Sequence, residues 1–221
     1  MSLVFLAGAS RGVGREVAKR LVVGGHEVVA LLRNDRATDQ LVAMGVTVLV
    51  GDAMDGDMML KMMADYPIDC VISTIGGVPG ESQQRPDFLG NKNLIDAAVA
   101  AEAQRFLMIS SIGSGNSAQA LPANALETLG PVLKEKRQAE EYLASSGIGY
   151  TVIRPGGLLS QSATGQEVLT EDESVAGSIP RDGVAALTVK CMGSDKTVNK
   201  IFSAIDLSMQ RTEKEFEVFD L

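Results

Sequence analysis

The stretch that most constrains this chain is Leu3 to Gly14, LVFLAGASRGVG. Leu3 to Ala7 is a short apolar run of the kind found in buried parallel strands. Gly8, Gly12 and Gly14 follow. Val13, Val17, Ala18, Leu21 and Val22 then recur at helical spacing, with Arg15, Glu16, Lys19 and Arg20 on the other side. A strand, a glycine-rich turn and a helix N-terminus together make an anion site. Free backbone N–H groups and the helix dipole face the anion there, and glycines let a pyrophosphate approach. Glycines that close a strand and open a helix predict a dinucleotide site, with an ordinary tight turn as the bland alternative.

At 221 residues the chain suits one domain able to bury a large core. Charged residues at 22% and apolar residues at 45% are those of a globular protein. A net charge of −8 with no long basic block argues against nucleic acid and anionic membrane as partners. Cys70 and Cys191 sit in apolar runs, fit no metal spacing and are expected to be buried thiols. His26 is the only histidine and reads as a turn residue, so no histidine-based metal cluster is expected. Leu3 to Ala9 is too short for a membrane span and lacks the basic flank of a signal peptide, which makes the cytoplasm the expected location.

Apolar runs and helical patterns then alternate. Strands are expected at His26–Leu32, Val46–Val50, Asp69–Ile75, Arg105–Ile109, Tyr150–Ile153 and Lys200–Ile205. Helices are expected at Asp35–Met44, Asp55–Ala64, Asp87–Glu102, Pro131–Ser145 and Arg181–Met192, with Pro131 at the first helical position. Met58, Met59, Met62 and Met63 read as core filling. The polar stretch 76–86 reads as a lid or substrate rim. Residues 158–178 are expected to be irregular with short strands, and 209–221 an edge strand or an acidic end. This alternation predicts an α/β fold, a Rossmann-type doubly wound parallel sheet, with 1–221 as a single domain whose residues 154–221 form the substrate side. Ligands of such sheets sit at the C-terminal ends of the strands.

Candidates follow from that rule. An arginine after the second strand can hold the extra phosphate of NADP, where an acid would favour NAD. Arg33 ends that strand, with Arg36 nearby and Arg11 in the glycine turn, so NADP(H) is expected ahead of NAD(H). Asp35 reads as the cap of the next helix. Asp52 is read equally as an adenine partner or a turn residue. Ser110 and Ser111 are read equally as site hydroxyls or local turn bonds. Lys136, with Ala139 and Leu143, lies on the inward stripe of its helix and must snorkel or meet a polar group. The bland alternative is an i, i+4 pair with Glu140.

These residues resemble the atypical short-chain dehydrogenase/reductases, particularly the group with NmrA-like proteins and biliverdin-reductase-B/flavin-reductase-like enzymes. The resemblance covers nearly the whole chain and rests on GASRGVG, VVALLRN, LVGD, ISTIGG, NLIDAAVAAEAQRFLMISSIG, EKRQAEEYLASSGIGYTVIRPGG and SIPRDGVAAL. It implies that Ser111 is the active-site serine and Lys136 the lysine on the nicotinamide ribose. Gly8, Ser10, Arg11, Gly12, Val13, Gly14, Arg33, Asp52, Ala53, Thr74, Ile75 and Gly76 would line the cofactor. Pro155, Gly156, Gly157 and Leu158 would lie near the nicotinamide and substrate.

Two departures bear on function. The turn is G-x-x-x-G-x-G, the spacing of ordinary short-chain dehydrogenases. The family's Tyr-x-x-x-Lys would need tyrosine at 132, where this chain has Val132. Two functions are therefore expected. One is a reductase passing hydride from NADPH to a small-molecule acceptor that needs no protein acid, such as a flavin, quinone or tetrapyrrole. The other is a non-enzymatic NADP(H)-binding sensor or assembly factor. A monomer or homodimer is expected in either case.

Overall fold

A computed structural model describes residues 1–77 and 85–221. The expected rim at 76–86 falls largely on 78–84, outside the described residues.

Strand β1 (Leu3–Ala7) pairs in parallel with β2 (Glu27–Leu32) on one side and β4 (Cys70–Ser73) on the other. Outward from β2 comes β3 (Thr47–Val50). Outward from β4 come β5 (Arg105–Ile109), β6 (Gly149–Pro155) and β10 (Lys200–Asp206), all parallel. Strand β8 (Glu167–Thr170) closes that edge antiparallel to β10. The order is β3-β2-β1-β4-β5-β6-β10-β8, a doubly wound sheet whose direction of winding reverses beside β1. Two short strands, β7 (Gly157–Leu159) and β9 (Ser178–Pro180), form a separate parallel pair.

Helices α1 (Gly12–Val23), α2 (Thr38–Val42) and α6 (Arg181–Met192) cover one face of the sheet. Helices α3 (Gly56–Ala64), α4 (Leu89–Ala100) and α5 (Ala123–Ser145) cover the other. The inner strands β1, β4 and β5 are near-continuous apolar runs because both their faces are buried. On one face Val4, Leu6 and Ile72 meet Val17, Leu21 and Val184; on the other Phe5, Val71 and Phe106 meet Met59, Leu94 and Leu143. Met59 and Met63 are fully buried, the filling role expected of that stripe. Cys70 and Cys191 are free and buried, and burial pushes both thiols up to about 12 against the lowering charge of Arg105. No helix among the described residues is long and apolar enough to cross a membrane.

Several details differ from the sequence reading. Helix α5 begins eight residues before Pro131, after Pro122, because Ala123, Ala125, Leu126 and Glu127 are strong helix formers. Pro131 lies inside the helix on its exposed face, where a carbonyl left without its N–H partner can be met by water. The cap after β2 is Asn34, whose side chain accepts from the Arg36 N–H at 3.3 Å; Asp35 is already within the turn that follows. The tail forms no edge strand: Gln210 makes one isolated bridge, and Phe219 packs at 4.6 Å on Phe202 while its N–H donates to Leu169.

Candidate functional site

In a parallel sheet all strands end on one edge, and that edge collects the expected residues. Gly8–Gly14 follow β1, Arg33 follows β2, Asp52 and Ala53 follow β3, Thr74–Gly76 follow β4, Ser110 and Ser111 follow β5, and Pro155 ends β6 with Gly156–Leu158 beyond it. Backbone bonds beyond the strands hold these ends together: Gly51 donates to Leu32, Thr74 to Ala7, Ser110 to Ile153 and Ile112 to Pro155.

The glycine turn is built by close approach. Gly8 has φ +95° and Gly12 has φ +59°, left-handed conformations that favour glycine. A Cβ on Gly14 would collide with the Gly8 carbonyl, so α1 can rest on the turn only with glycine there. Thr74 Oγ1 donates towards the Ala7 and Gly8 carbonyls at 3.0 and 3.2 Å, fastening the tip of β4 to the turn. Thr74 thus shapes the site from beneath. Arg11 is the N-cap residue of α1 and makes no side-chain capping bond, which leaves the first backbone donors of that helix free of a protein cap. A Cβ on Gly12 would meet nothing nearer than the Arg181 side chain at 3.6 Å, an ordinary van der Waals distance. The turn therefore fits a dinucleotide pyrophosphate, and Val13 is buried beneath it as packing.

On the β2–β3 side of this edge, Arg33 and Arg36 are exposed and make no described ion pair, while Ser10 is exposed beside the turn. Asp52 spends one oxygen on the Met54 N–H at 3.0 Å, a turn bond that leaves the other oxygen available. Buried Ala53 accepts from Asn93 of α4 at 2.9 Å.

Lys136 defines the other end. Its ammonium lies 3.0 Å from Asp87 Oδ1, a carboxylate with no solvent exposure, and a Cβ on Gly76 would stand 3.3 Å from the same nitrogen. Asp87 Oδ2 accepts from the Gly77 N–H at 2.8 Å. The inward stripe of α5 is thus real, and the alternative pair with Glu140 does not form. Glu140 instead holds Arg154 at 2.6 Å in a nearly dry pair and accepts from the Ser110 hydroxyl, while Arg154 also reaches Glu173 at 3.3 Å. Ser110 is therefore committed to the structural network. The hydroxyl of Ser111, its neighbour, donates to the Ile112 carbonyl at 2.9 Å. Ile75 packs towards Gly90, and Pro155 is buried in β6. A Cβ on Gly156 would strike the Gly177 carbonyl; Gly157 and Leu158 are exposed in β7.

No tyrosine supplies what position 132 lacks. Val132 is buried, Tyr142 donates to Asp96 at 2.6 Å, and Tyr66 and Tyr150 lie at the opposite end of the strands. Sequence reasoning missed Asp87 and Arg181. Each opens a helical stretch and reads as an ordinary end residue; the inward position of Lys136, which called for a polar partner or for snorkelling to water, was the one signal pointing towards Asp87.

The profile of the NAD(P)H-binding family matches residues 8–195. An uncharacterised chloroplastic protein of Arabidopsis thaliana is 31% identical over 91% of this chain and 76% of its own length. The chloroplastic protein TIC 62 of Pisum sativum is 30% identical over 92% of this chain, which spans only 43% of that relative's length. Among solved structures, ChuY, described as an anaerobillin reductase from Escherichia coli O157:H7, superposes with a TM-score of 0.86 at 29% identity, covering 96% of this chain and all of its own. With the glycine turn, the strand order and the matched span in agreement, the chain belongs to the NAD(P)H-binding family, within the atypical short-chain dehydrogenase/reductases.

Proposed function

We propose that this chain is an oxidoreductase that uses NADPH to reduce a flavin, quinone or tetrapyrrole-like small molecule. The observation that carries this reading is the Lys136–Asp87 pair beside Gly76, a buried charge set at the nicotinamide end of an edge without a tyrosine acid. The bound cofactor supplies a hydride. The chain's own residues hold and orient. Arg33 and Arg11 offer charge-assisted donors to a 2′-phosphate, which favours NADP(H) over NAD(H). Lys136, held in place by Asp87, presents a ribose donor and a positive charge near the reduced acceptor. Ser111, free of the Glu140 network, orients the acceptor by hydrogen bonding. The proton that completes reduction comes from solvent, so acceptors whose reduced form needs no protein acid are favoured. The likeness to a structure described as an anaerobillin reductase supports a conjugated acceptor.

Val132 also favours a second reading, an NADP(H)-binding sensor or assembly module whose partner senses the bound nucleotide. In TIC 62 the matching part is under half the length, so the domain there is one part of a larger protein. A cytoplasmic site of action, as monomer or homodimer, belongs to the proposal in either case. NADPH oxidation measured against a panel of flavins, quinones and tetrapyrroles, beside a pull-down with and without NADP, tests both. Turnover with one acceptor class supports the reductase; no turnover with nucleotide-dependent capture of a partner replaces it by the sensor.

A further inference from the structure

Beside the glycine turn lies a cleft of about 540 Å³, with Arg11, Gly12 and Arg15 on one wall and Ser160, Arg181 and Asp182 on the other. Its charge is unbalanced. The two carboxylates at its border are already engaged, Glu16 by Lys19 at 3.0 Å and Asp182 by Arg20 at 2.5 Å. None of the three arginines pairs with a carboxylate among the described residues; Arg15 donates to the Ser10 carbonyl at 2.5 Å. The cleft is therefore built for an anion, and it opens directly over Gly12.

Arg181 is the residue that joins this cleft to the substrate side. It is the first residue of α6, and α6 packs along α1, so its side chain is carried across the turn. Its Cδ and Nε are the atoms that a Cβ on Gly12 would meet, both at 3.6 Å. Its Nη1 is spent elsewhere, on the Leu158 carbonyl at 3.2 Å and Ser160 Oγ at 2.9 Å. The Nε–H facing the turn has no described acceptor. A guanidinium anchored through one nitrogen, with a neighbouring donor free over a pyrophosphate turn, presents the edge that binds phosphate oxygens in parallel.

Resting on the nucleotide-binding reading above, we infer that Arg181 is a positioning residue that clamps the cofactor pyrophosphate from the substrate side. Through Leu158 and Ser160 it couples cofactor binding to ordering of the 157–160 segment. The fork holds phosphate through Nε and Nη2, while Nη1 keeps its two bonds to the segment that carries exposed Leu158 and Leu159.

Fragments of the nucleotide separate this role from others. ADP-ribose carries the pyrophosphate without a 2′-phosphate or nicotinamide; 2′-AMP carries the 2′-phosphate without a pyrophosphate. In calorimetry, Arg181→Ala is expected to weaken ADP-ribose and NADPH alike by about ten- to a hundredfold, and to leave 2′-AMP unchanged. Arg181→Lys keeps the charge without the fork and should recover only part of the loss. In hydrogen exchange, ADP-ribose should slow the amides of 157–162 in the parent and not in Arg181→Ala. Parental ADP-ribose affinity in Arg181→Ala overturns the clamp, as does an equal loss for 2′-AMP or segment protection that survives the substitution. A parent protein that binds neither NADPH nor ADP-ribose overturns the nucleotide reading itself, a result distinct from all of these.

Discussion

Lys136 and Asp87 meet at 3.0 Å at the tip of β4, and the lysine is nearly as hidden as the acid, with side-chain exposures of 15% and 0%. Two buried charges are costly to bring from water, and the cost is offset only while both are present and the remaining lone pairs are satisfied. The Gly77 N–H meets part of that need on Asp87. The pair also joins α5 to the approach to α4, alongside an Arg85–Glu135 pair at 2.8 Å.

Lys136→Met should therefore affect more than the cofactor. Leaving Asp87 buried and alone is expected to cost about 3–5 kcal/mol of stability. Asp87→Asn in the same chain should recover much of it. A double-mutant cycle by urea unfolding reads the coupling directly. Additive single effects would mean that the two side chains do not act as a pair, and the loss of NADPH binding expected for Lys136→Met could then be assigned to the lysine alone.

Arg33→Ala tests the choice between nucleotides. Arg33 is exposed beyond β2 and has no described carboxylate partner, so its removal should leave the fold intact. One charge-assisted contact is worth about 1.5–3 kcal/mol, which is roughly ten- to a hundredfold in affinity. NADPH should weaken by that factor while NADH changes little. An unchanged ratio of the two affinities would make Arg33 a solvated surface charge.

Gly12→Val should separate folding from binding. At φ +59° a β-branched residue is strained, at a cost of about 1–2 kcal/mol, yet the nearest neighbour of its Cβ is the Arg181 side chain at 3.6 Å and the sheet should survive. The valine side chain would stand where a pyrophosphate must approach. Circular dichroism and nucleotide calorimetry on one sample are expected to show a folded protein without NADPH binding. Parental affinity in that protein would remove the phosphate role from the turn.

The parts legible in the sequence were those whose cause is local. The inner strands of the parallel sheet are buried apolar runs between polar turns, and the glycine turn carries its own signature, so the doubly wound parallel sheet and its ligand edge followed. Lys136 was legible as a misfit, a charge on an apolar stripe. What faces it was not, because Asp87 comes from a distant segment and looks like any residue before a helix. Pro131 misled for the same reason: a proline usually starts a helix, and only the exposed side on which it falls made it tolerable inside α5. Arg181 reaches Gly12 only because α6 lies along α1, a relation set by the sheet and absent from either local pattern.

The acid limb of stability should carry the mark of Asp172. Its carboxylate accepts from the Ser174 hydroxyl and N–H and pairs with Lys214 at 3.1 Å, which pulls it from 3.8 down to about 2. A group with a lowered folded-state value stabilises fully above its unfolded value and stops doing so as pH falls through the folded one. Asp172→Ala should therefore lower the midpoint of thermal unfolding at neutral pH, and the difference from the parent should vanish between about pH 4 and pH 2. A difference that persists at pH 2 would assign the effect to packing.

The last expectation concerns the proton. If an acceptor is reduced without a protein acid, no tyrosine should govern the rate. Tyr142 is held by Asp96 and lies over Lys92, 5.0 Å from its ammonium, while Tyr66 and Tyr150 sit at the far end of the sheet. A general acid typically contributes about 10²–10⁴-fold, so its removal could not be overlooked. Tyr142→Phe and Tyr150→Phe are expected to keep the parental pH profile of NADPH oxidation with the best acceptor. Val132→Tyr places a hydroxyl one helical turn before Lys136, at an overpacking cost of about 1–3 kcal/mol because Val132 is only 7% exposed. Where that variant folds, it should gain carbonyl reduction with an added ionisation in its profile. A steep loss of rate in the parent, governed by one ionising group and removed by Tyr142→Phe or Tyr150→Phe, would show that a tyrosine delivers the proton and would overturn the solvent-proton mechanism.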